Sequence, residues 1–254
     1  MPRQFNCATR WLLSITTALL CGTSALAQDG DYYQPLNEKL PPGFTADILA
    51  RVRQYDPTWL QPVRIELPTE GTVSVYSATP NPLATLTGPA QFSVNAGHIY
   101  RLRIADMPEF PGVEIFPSIE ILDRLHPPEG MAGNYPVPVV LTKGDLQEAV
   151  DGHMVTRIVY LEQPQLAATQ DPLRREIPQS VDPAKNAIQE ADRLGRPMII
   201  VRIGGRVPDS PDMPHSFFGS GGAFDIGESV SVNTGVVKLT DKAKLKASLV
   251  RRSP

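Results

Sequence analysis

Cysteine is nearly absent from this chain, and this limits the chemistry that the protein can carry. Cys7 and Cys21 are the two cysteines among 254 residues, and both lie in the first 27 residues. From Gln28 onward there is none, so thiol catalysis, CxxC redox chemistry and thiolate zinc sites are excluded for that part. Disulfides are excluded there as well, and we therefore expect the fold to be stabilised by its hydrophobic core.

Long hydrophobic runs are also missing. After residue 27, no run approaches the eighteen or so apolar residues that a membrane-spanning helix needs. The apolar run from Trp11 to Leu20 near the N-terminus is too short to cross a bilayer. We expect no transmembrane span in the chain that follows residue 27.

Residues 1–27 have the order of a secretory signal peptide. Arg3 and Arg10 come first, the apolar run follows, and the segment ends in the small-residue pattern A-L-A at 25–27. We predict cleavage after Ala27 and export to the periplasm, the cell envelope or the extracellular space. The alternative is a lipoprotein acylated at Cys21, which the leucine directly before that cysteine disfavours.

The glycine-rich stretch Phe217–Ser229 lacks the residues of a nucleotide-binding loop. A phosphate loop of the Walker type needs a lysine and then serine or threonine after its last glycine, and no lysine occurs from Val207 to Val237. No third glycine completes a dinucleotide-binding motif, and there is no G-x-S-x-G nucleophile elbow. We interpret the stretch as a mobile surface loop, or as one packed against the strands.

Alternation of apolar and polar residues predicts a series of β-strands. PVRIELP, GTVSVYSA, AQFSVNAG, HIYRLRIAD and MVTRIVYLEQP all show this period of two. Tyr100, Leu102 and Ile104 form a predicted inward set on one strand, and Arg101 and Arg103 alternate with them toward solvent.

Over residues 58–165 this pattern resembles the immunoglobulin-like and transthyretin-like sandwiches that are common in exported bacterial proteins. The resemblance implies a mainly β fold, an antiparallel β-sandwich, and transfers no function. The 26 prolines among 254 residues fit short strands joined by rigid turns.

Two further segments flank this predicted domain. Residues 28–57 are predicted to form an extended leader and a short helix with Thr45 as its N-cap. Residues 166–237 are predicted to form a small C-terminal α/β extension, in which a helix begins at Asp182 and a buried strand and a Gly/Pro-rich loop follow. The sequence leaves open whether this extension joins the edge of the sandwich or forms a separate small lobe.

Asp123, His126 and Glu129 are the first group of candidate ligand-binding residues, because they lie close together between two predicted strands. The spacing matches no metal site, and an acid/base pair would need a pocket that the sequence does not reveal. A hydrolase site could combine His126 with carboxylates at strand ends. The candidate carboxylates are those of Glu114, Glu120 and Glu162, although alternation predicts that strand carboxylates face solvent.

The second group of candidates is His215, Phe217, Phe218 and Asp225, in the Gly/Pro-rich loop. Aromatic and acidic side chains in a long loop are typical of a ligand-binding lid. Calcium would use the carboxylates of this loop, including those of Asp209 and Asp212, but the spacing matches no EF-hand or nonapeptide repeat. We predict no metal site and no cofactor.

Residues 238–254 form a basic tail with six Lys and Arg residues against a single acid, Asp241. Such a tail is predicted to attract anionic envelope polymer or lipid head groups in a salt-dependent way, whereas nucleic acid is not an expected partner after export. The sequence therefore predicts an exported noncatalytic protein that binds or organises part of the periplasm or cell envelope. A hydrolase is the alternative.

Overall fold

The structure is a computed structural model that describes residues 36–165, 179–182, 184–209 and 213–226. The predicted signal peptide and the basic tail lie outside these residues. The described part of the chain is mainly β, with two sheets and few helices, so the prediction of a β-rich fold is confirmed.

Ten strands and three α-helices are found in the described residues. The strands are β1 (Leu60–Glu66), β2 (Thr72–Tyr76), β3 (Ala84–Thr87), β4 (Ala90–Asn95), β5 (Ile99–Ala105), β6 (Ser118–Ile121), β7 (Val137–Val140), β8 (Val155–Glu162), β9 (Gly195–Ile203) and β10 (Phe224–Asp225). The helices are α1 (Phe44–Arg53), α2 (Lys143–Val150) and α3 (Ala187–Leu194), and 3-10 turns occur at Ala132–Asn134 and His215–Phe218.

The strands form a four-stranded sheet with the order β10-β4-β1-β7 and a six-stranded sheet with the order β3-β2-β5-β6-β9-β8. Neighbouring strands are antiparallel except β1 and β7, which pair in parallel. β9 follows α3 and lies between β6 and β8, so it is an interior strand of the larger sheet. It therefore pairs on both sides with strands of the 58–165 segment, and the predicted boundary after residue 165 stays a prediction.

One cluster of buried hydrophobic side chains includes residues of both sheets. Val63 and Phe92 belong to the four-stranded sheet, Leu102 and Ile104 belong to the six-stranded sheet, and each is at most 1% exposed. The inward set predicted for β5 is thus confirmed. Burial of a side chain of this size contributes about 1.5 to 3 kcal/mol, which is how a chain without disulfides in this region is stabilised.

The six-stranded sheet is also covered on its other face. A second hydrophobic cluster joins Ala46 of α1, Leu122, Ile188 of α3 and Ile200 of β9. Leu36, the first described residue, packs against this cluster. Because both faces are covered, β6 and most of β9 have buried side chains at consecutive positions.

The three helices begin in different ways, and the starts of α1 and α3 differ from prediction. Thr142 and Asp145 form a capping box at α2, as two reciprocal hydrogen bonds show. The predicted N-cap at Thr45 is wrong, because Gly43 with a φ of +90° precedes α1 and Thr45 lies buried in the first turn. α3 begins after Asn186, whose side chain accepts hydrogen bonds from the next turn. Of the helices in the described ranges, none has the length and apolar character needed to cross a membrane.

Candidate functional site

Asp123, one of the predicted ligand-binding residues, is buried and contacts several elements. It follows β6 and is 3% exposed. Its carboxylate accepts hydrogen bonds from the guanidinium of Arg53, from the hydroxyl of Tyr55 at 3.1 Å and from the backbone amide of Arg124 at 2.7 Å. The Nε atom of Arg196 lies 3.3 Å from its Oδ2. The carboxylate therefore connects the end of α1 with β6 and β9.

Tyr55 at this junction acts as a hydrogen-bond donor. Its hydroxyl lies 2.7 Å from the carbonyl oxygen of Leu122. Burial raises the pKa of Tyr55 to about 12, so the phenol keeps its proton at neutral pH. The group therefore provides a proton to the network and is not a base.

The structure separates the other two residues of the first candidate group from Asp123. His126 and Glu129 are both exposed, in the segment between β6 and the 3-10 turn Ala132–Asn134. Neither makes a hydrogen bond or ion pair with a described residue. The described residues contain no group of three or more His, Cys, Asp or Glu side chains that could bind a metal ion. A ligand-binding role for His126 and Glu129 stays a prediction.

Two of the three carboxylates proposed for hydrolysis, those of Glu114 and Glu120, make ion pairs with arginines. Glu120 is fully buried, which corrects the expectation that it faces solvent. Its Oε2 lies 2.5 Å from Arg202 Nη1, and its Oε1 accepts a hydrogen bond of 2.9 Å from the backbone amide of Ala46. Glu114 accepts a hydrogen bond from Arg103, and this bond lowers the pKa of the Glu114 carboxyl.

The aromatic residues of the second candidate group belong to the interior. Phe217 and Phe218 are 6% and 5% exposed. They form a third hydrophobic cluster with Tyr76 and Phe116, in which the centres of the Phe217 and Phe218 rings lie 5.2 Å apart at nearly a right angle. This part of the loop is therefore packed against the six-stranded sheet, which was one of the two predicted possibilities.

The polar residues of the second group lie apart from each other on the surface. His215 is exposed, and its Nδ1 lies 2.9 Å from the carbonyl oxygen of Ala78. Asp225 is exposed on β10, where it pairs with Ser93 of β4. Asp209 is exposed as well, and Asp212 of the proposed calcium loop lies outside the described residues.

The glycines of this loop permit close packing. Gly219 pairs with Tyr100, and a Cβ atom added to it would lie 2.5 Å from the backbone oxygen of Ile99. A Cβ atom on Gly222 would lie 2.1 Å from the Tyr100 hydroxyl, which donates a hydrogen bond to Ala223. These contacts require glycine for a steric reason that has no connection with phosphate.

A cleft of about 290 Å³ lies beside the packed loop. Arg101 of β5 and Arg206 line it. Its other lining residues are Pro42, Ile99, Tyr100, Ser118, Pro214, Ser216, Phe217 and Gly219. Among these described lining residues there are two cations and no acid.

Arg101 is fixed in place at this cleft. Its Nε donates a hydrogen bond of 2.8 Å to the carbonyl oxygen of Phe217, and its Nη1 donates one of 2.9 Å to that of Phe116. Its guanidinium carbon lies 4.3 Å from the centre of the Phe217 ring, and that of Arg206 lies 5.5 Å from the same centre. Burial, with a smaller effect of the Arg206 charge, lowers the pKa of Arg101 to about 10.

Sequence reasoning missed this cleft. Strand alternation correctly placed Arg101 on the face of β5 opposite the buried residues Tyr100, Leu102 and Ile104. It predicted that this face is solvated, whereas in the structure the 3-10 turn His215–Phe218 covers Arg101. Arg206 had no signal beyond its position after the paired glycines at 204 and 205. Comparison with protein-family models, curated proteins and solved structures finds no match to this chain.

Proposed function

We propose that this is an exported noncatalytic protein that binds or organises material in the periplasm or cell envelope. The observation that supports a noncatalytic role is that the buried carboxylates form ion pairs within the fold. The buried carboxylates of Glu120, Asp123 and Asp145 each make an ion pair with an arginine. These pairs connect strands and helices, and the exposed His126 and Glu129 do not join them.

Export is part of the same proposal. The positive, apolar, small-residue order of residues 1–27 supports a signal peptide, and without cysteine after residue 27 that part of the chain needs no disulfide formation in an oxidising compartment. N-terminal sequencing of the protein recovered from the exported fraction is expected to begin at Gln28.

We include the finer fold in this proposal: the two sheets pack face to face as an antiparallel sandwich of the immunoglobulin-like or transthyretin-like kind. The shared hydrophobic cluster supports this arrangement, because its members come from β1, β4 and β7 as well as from β2, β5 and β9. A small C-terminal α/β extension, made of α3 and β9, would then be built into the larger sheet.

The proposed partner is an anionic envelope polymer or lipid head group, bound through the basic tail at residues 238–254. The composition of the tail supports this partner, since it has six basic residues in a chain whose formal net charge is −3. The rest of the chain is therefore acidic, and attraction to an anionic surface would orient the protein with the tail toward that surface.

A hydrolase screen tests whether the protein is noncatalytic. The wild-type chain and the variants His126→Ala and Glu129→Gln would be assayed side by side on ester, phosphoester, glycoside and peptide substrates. Both side chains are exposed, so neither variant is expected to change the fold. We expect no turnover above the uncatalysed rate in any of the three proteins.

Two outcomes of the screen would contradict the noncatalytic proposal. Turnover by the wild-type chain that falls tenfold or more in His126→Ala would support the hydrolase with strand-end carboxylates and contradict the noncatalytic proposal. Turnover that is equal in all three proteins would exclude His126 and Glu129 from catalysis, and if it stays with the chain through further purification it would contradict the noncatalytic proposal.

A further inference from the structure

The two arginines of the cleft differ from the other arginines on the same face of the six-stranded sheet. Arg202 pairs with Glu120, and Arg196 lies next to Asp123. Arg101 and Arg206 have no carboxylate within ion-pair distance among the described residues. Two guanidinium groups share one phenylalanine ring there, so positive charge accumulates at the cleft without an anion from the described chain.

Arg101 has donor groups left over. Its Nε and one Nη1 hydrogen are used by two backbone carbonyl groups, which fix the plane of the guanidinium. A guanidinium has five N–H donors, so three remain for another acceptor. Because the plane is already fixed, little side-chain entropy would be lost when a ligand binds to these donors.

Hydroxyl groups add to the donors of the cleft. Ser118 of β6 lies opposite Arg101 in the strand register and is 2% exposed. Ser118 lines the cleft, so its hydroxyl can donate a hydrogen bond to a ligand there. Ser216 lines the same cleft from the 3-10 turn.

From this arrangement we propose that the cleft is a binding site for a small ligand that carries an oxyanion, either a phosphate or a carboxylate. Arg101 and Arg206 bind the oxyanion, since the forked geometry of a guanidinium matches both groups. Ser118 donates a further hydrogen bond, and the Phe217 ring and Ile99 side chain contact the apolar part of the ligand.

The size of the cleft sets the size of the ligand. Its volume of about 290 Å³ is at the lower end of the range for small-molecule sites. A phosphate, a short carboxylic acid or the charged end of a larger molecule fits this volume. The proposal goes beyond envelope binding, because the site uses residues remote in sequence from the basic tail and needs no envelope for its test.

Titration of the purified full chain tests the site. Inorganic phosphate and acetate would be added in separate series at constant ionic strength, with chloride as the balancing anion. The arginine Nε–Hε signals would be followed by NMR, and the heat of binding by calorimetry. We expect the signal of Arg101 to shift in a saturable way with at least one of the two anions, and the series that does so identifies the class of oxyanion.

Matched variants establish where the anion binds. Arg206→Gln removes an exposed cation of the cleft, and Arg193→Gln removes an exposed cation from α3 with the same change in net charge. Loss of a charge-assisted contact is expected to weaken binding about tenfold in Arg206→Gln. Binding is expected to change less than twofold in Arg193→Gln.

Two results would overturn the proposal. One is the absence of a saturable shift with both phosphate and acetate. The other is equal weakening in Arg206→Gln and Arg193→Gln, which would show a general charge effect. Neither result bears on whether the protein is retained by the cell envelope, which is measured separately. Failure of the cleft proposal is therefore distinguishable from failure of the proposed function.

Discussion

The environment of a single residue in this protein depends on contacts with residues that are distant in the sequence. Arg101 alternates with the core residues Tyr100 and Leu102, so period 2 places it on the opposite face of the sheet. On that face it meets the carbonyl oxygen and ring of Phe217. The side chain is thus partly buried and its position fixed, although its place in the sequence is that of a solvated strand residue.

Gly219 is another residue whose role is steric. Its φ of +114° lies in a region that L side chains rarely adopt, and the backbone oxygen of Ile99 occupies the space of a Cβ atom. The neighbouring Ser220 amide donates a hydrogen bond of 2.9 Å to that same oxygen. Glycine therefore lets the loop join β5 at a distance that a larger residue would prevent.

Substitution of this glycine should destabilise the fold. Gly219→Ala is expected to lower the free energy of unfolding by about 1 to 3 kcal/mol, because the added methyl group strains the backbone and pushes the loop from β5. Gly133→Ala is the matched control, since nothing lies within 4 Å of its would-be Cβ atom and its φ is ordinary. Chemical denaturation would measure both variants, and equal stability of the two would contradict the steric role.

Among the elements, α1 relies on a side chain of the six-stranded sheet to accept a hydrogen bond from its N-terminal turn. A helix of ten residues is not stable alone in water, and Gly43 at its N-cap has no side chain to accept a hydrogen bond. The carboxylate of Glu120 on β6 accepts the bond from the Ala46 amide instead. Its negative charge lies at the positive end of the helix dipole, and Arg202 of β9 pairs with it.

Removal of the Glu120 charge tests this connection. Glu120→Gln can still accept the bond from Ala46, but it leaves the buried Arg202 without an anion. Breaking a buried pair in this way costs about 3 to 5 kcal/mol. Glu66→Gln breaks the partly exposed pair with Arg64 and is expected to cost less than about 1 kcal/mol. Similar midpoints of denaturation for the two variants would contradict a structural role for the Glu120 pair.

The strands were predictable from sequence, and their surroundings were not. Alternation identified β5 and its inward residues, because period 2 is a local property. It could not indicate that Glu120 and Arg101 are covered, since the covering residues, Ala46 and Phe217, are distant in the chain. The position of β9 inside the larger sheet is equally nonlocal, because it depends on which earlier strands remained available for pairing.

At the scale of the whole molecule, the charged residues fall into two sets: those that form ion pairs between elements and those of the basic tail. The ion pairs at Glu120, Asp123 and Asp145 connect elements within the described residues. The basic tail was predicted from composition alone and lies outside the described residues. These features support a core without disulfides that carries binding groups on its outside, which is the arrangement we propose for an exported binding protein.

Co-sedimentation of the purified chain with isolated cell envelope over a salt series tests the proposed envelope binding most directly. Binding through the tail predicts retention at low salt that disappears at several times physiological ionic strength, because screening weakens attraction between exposed charges. A variant that lacks residues 238–254 is expected to lose most of this retention. No retention of the full chain at any salt, or equal retention of the shortened chain, would contradict binding through the tail.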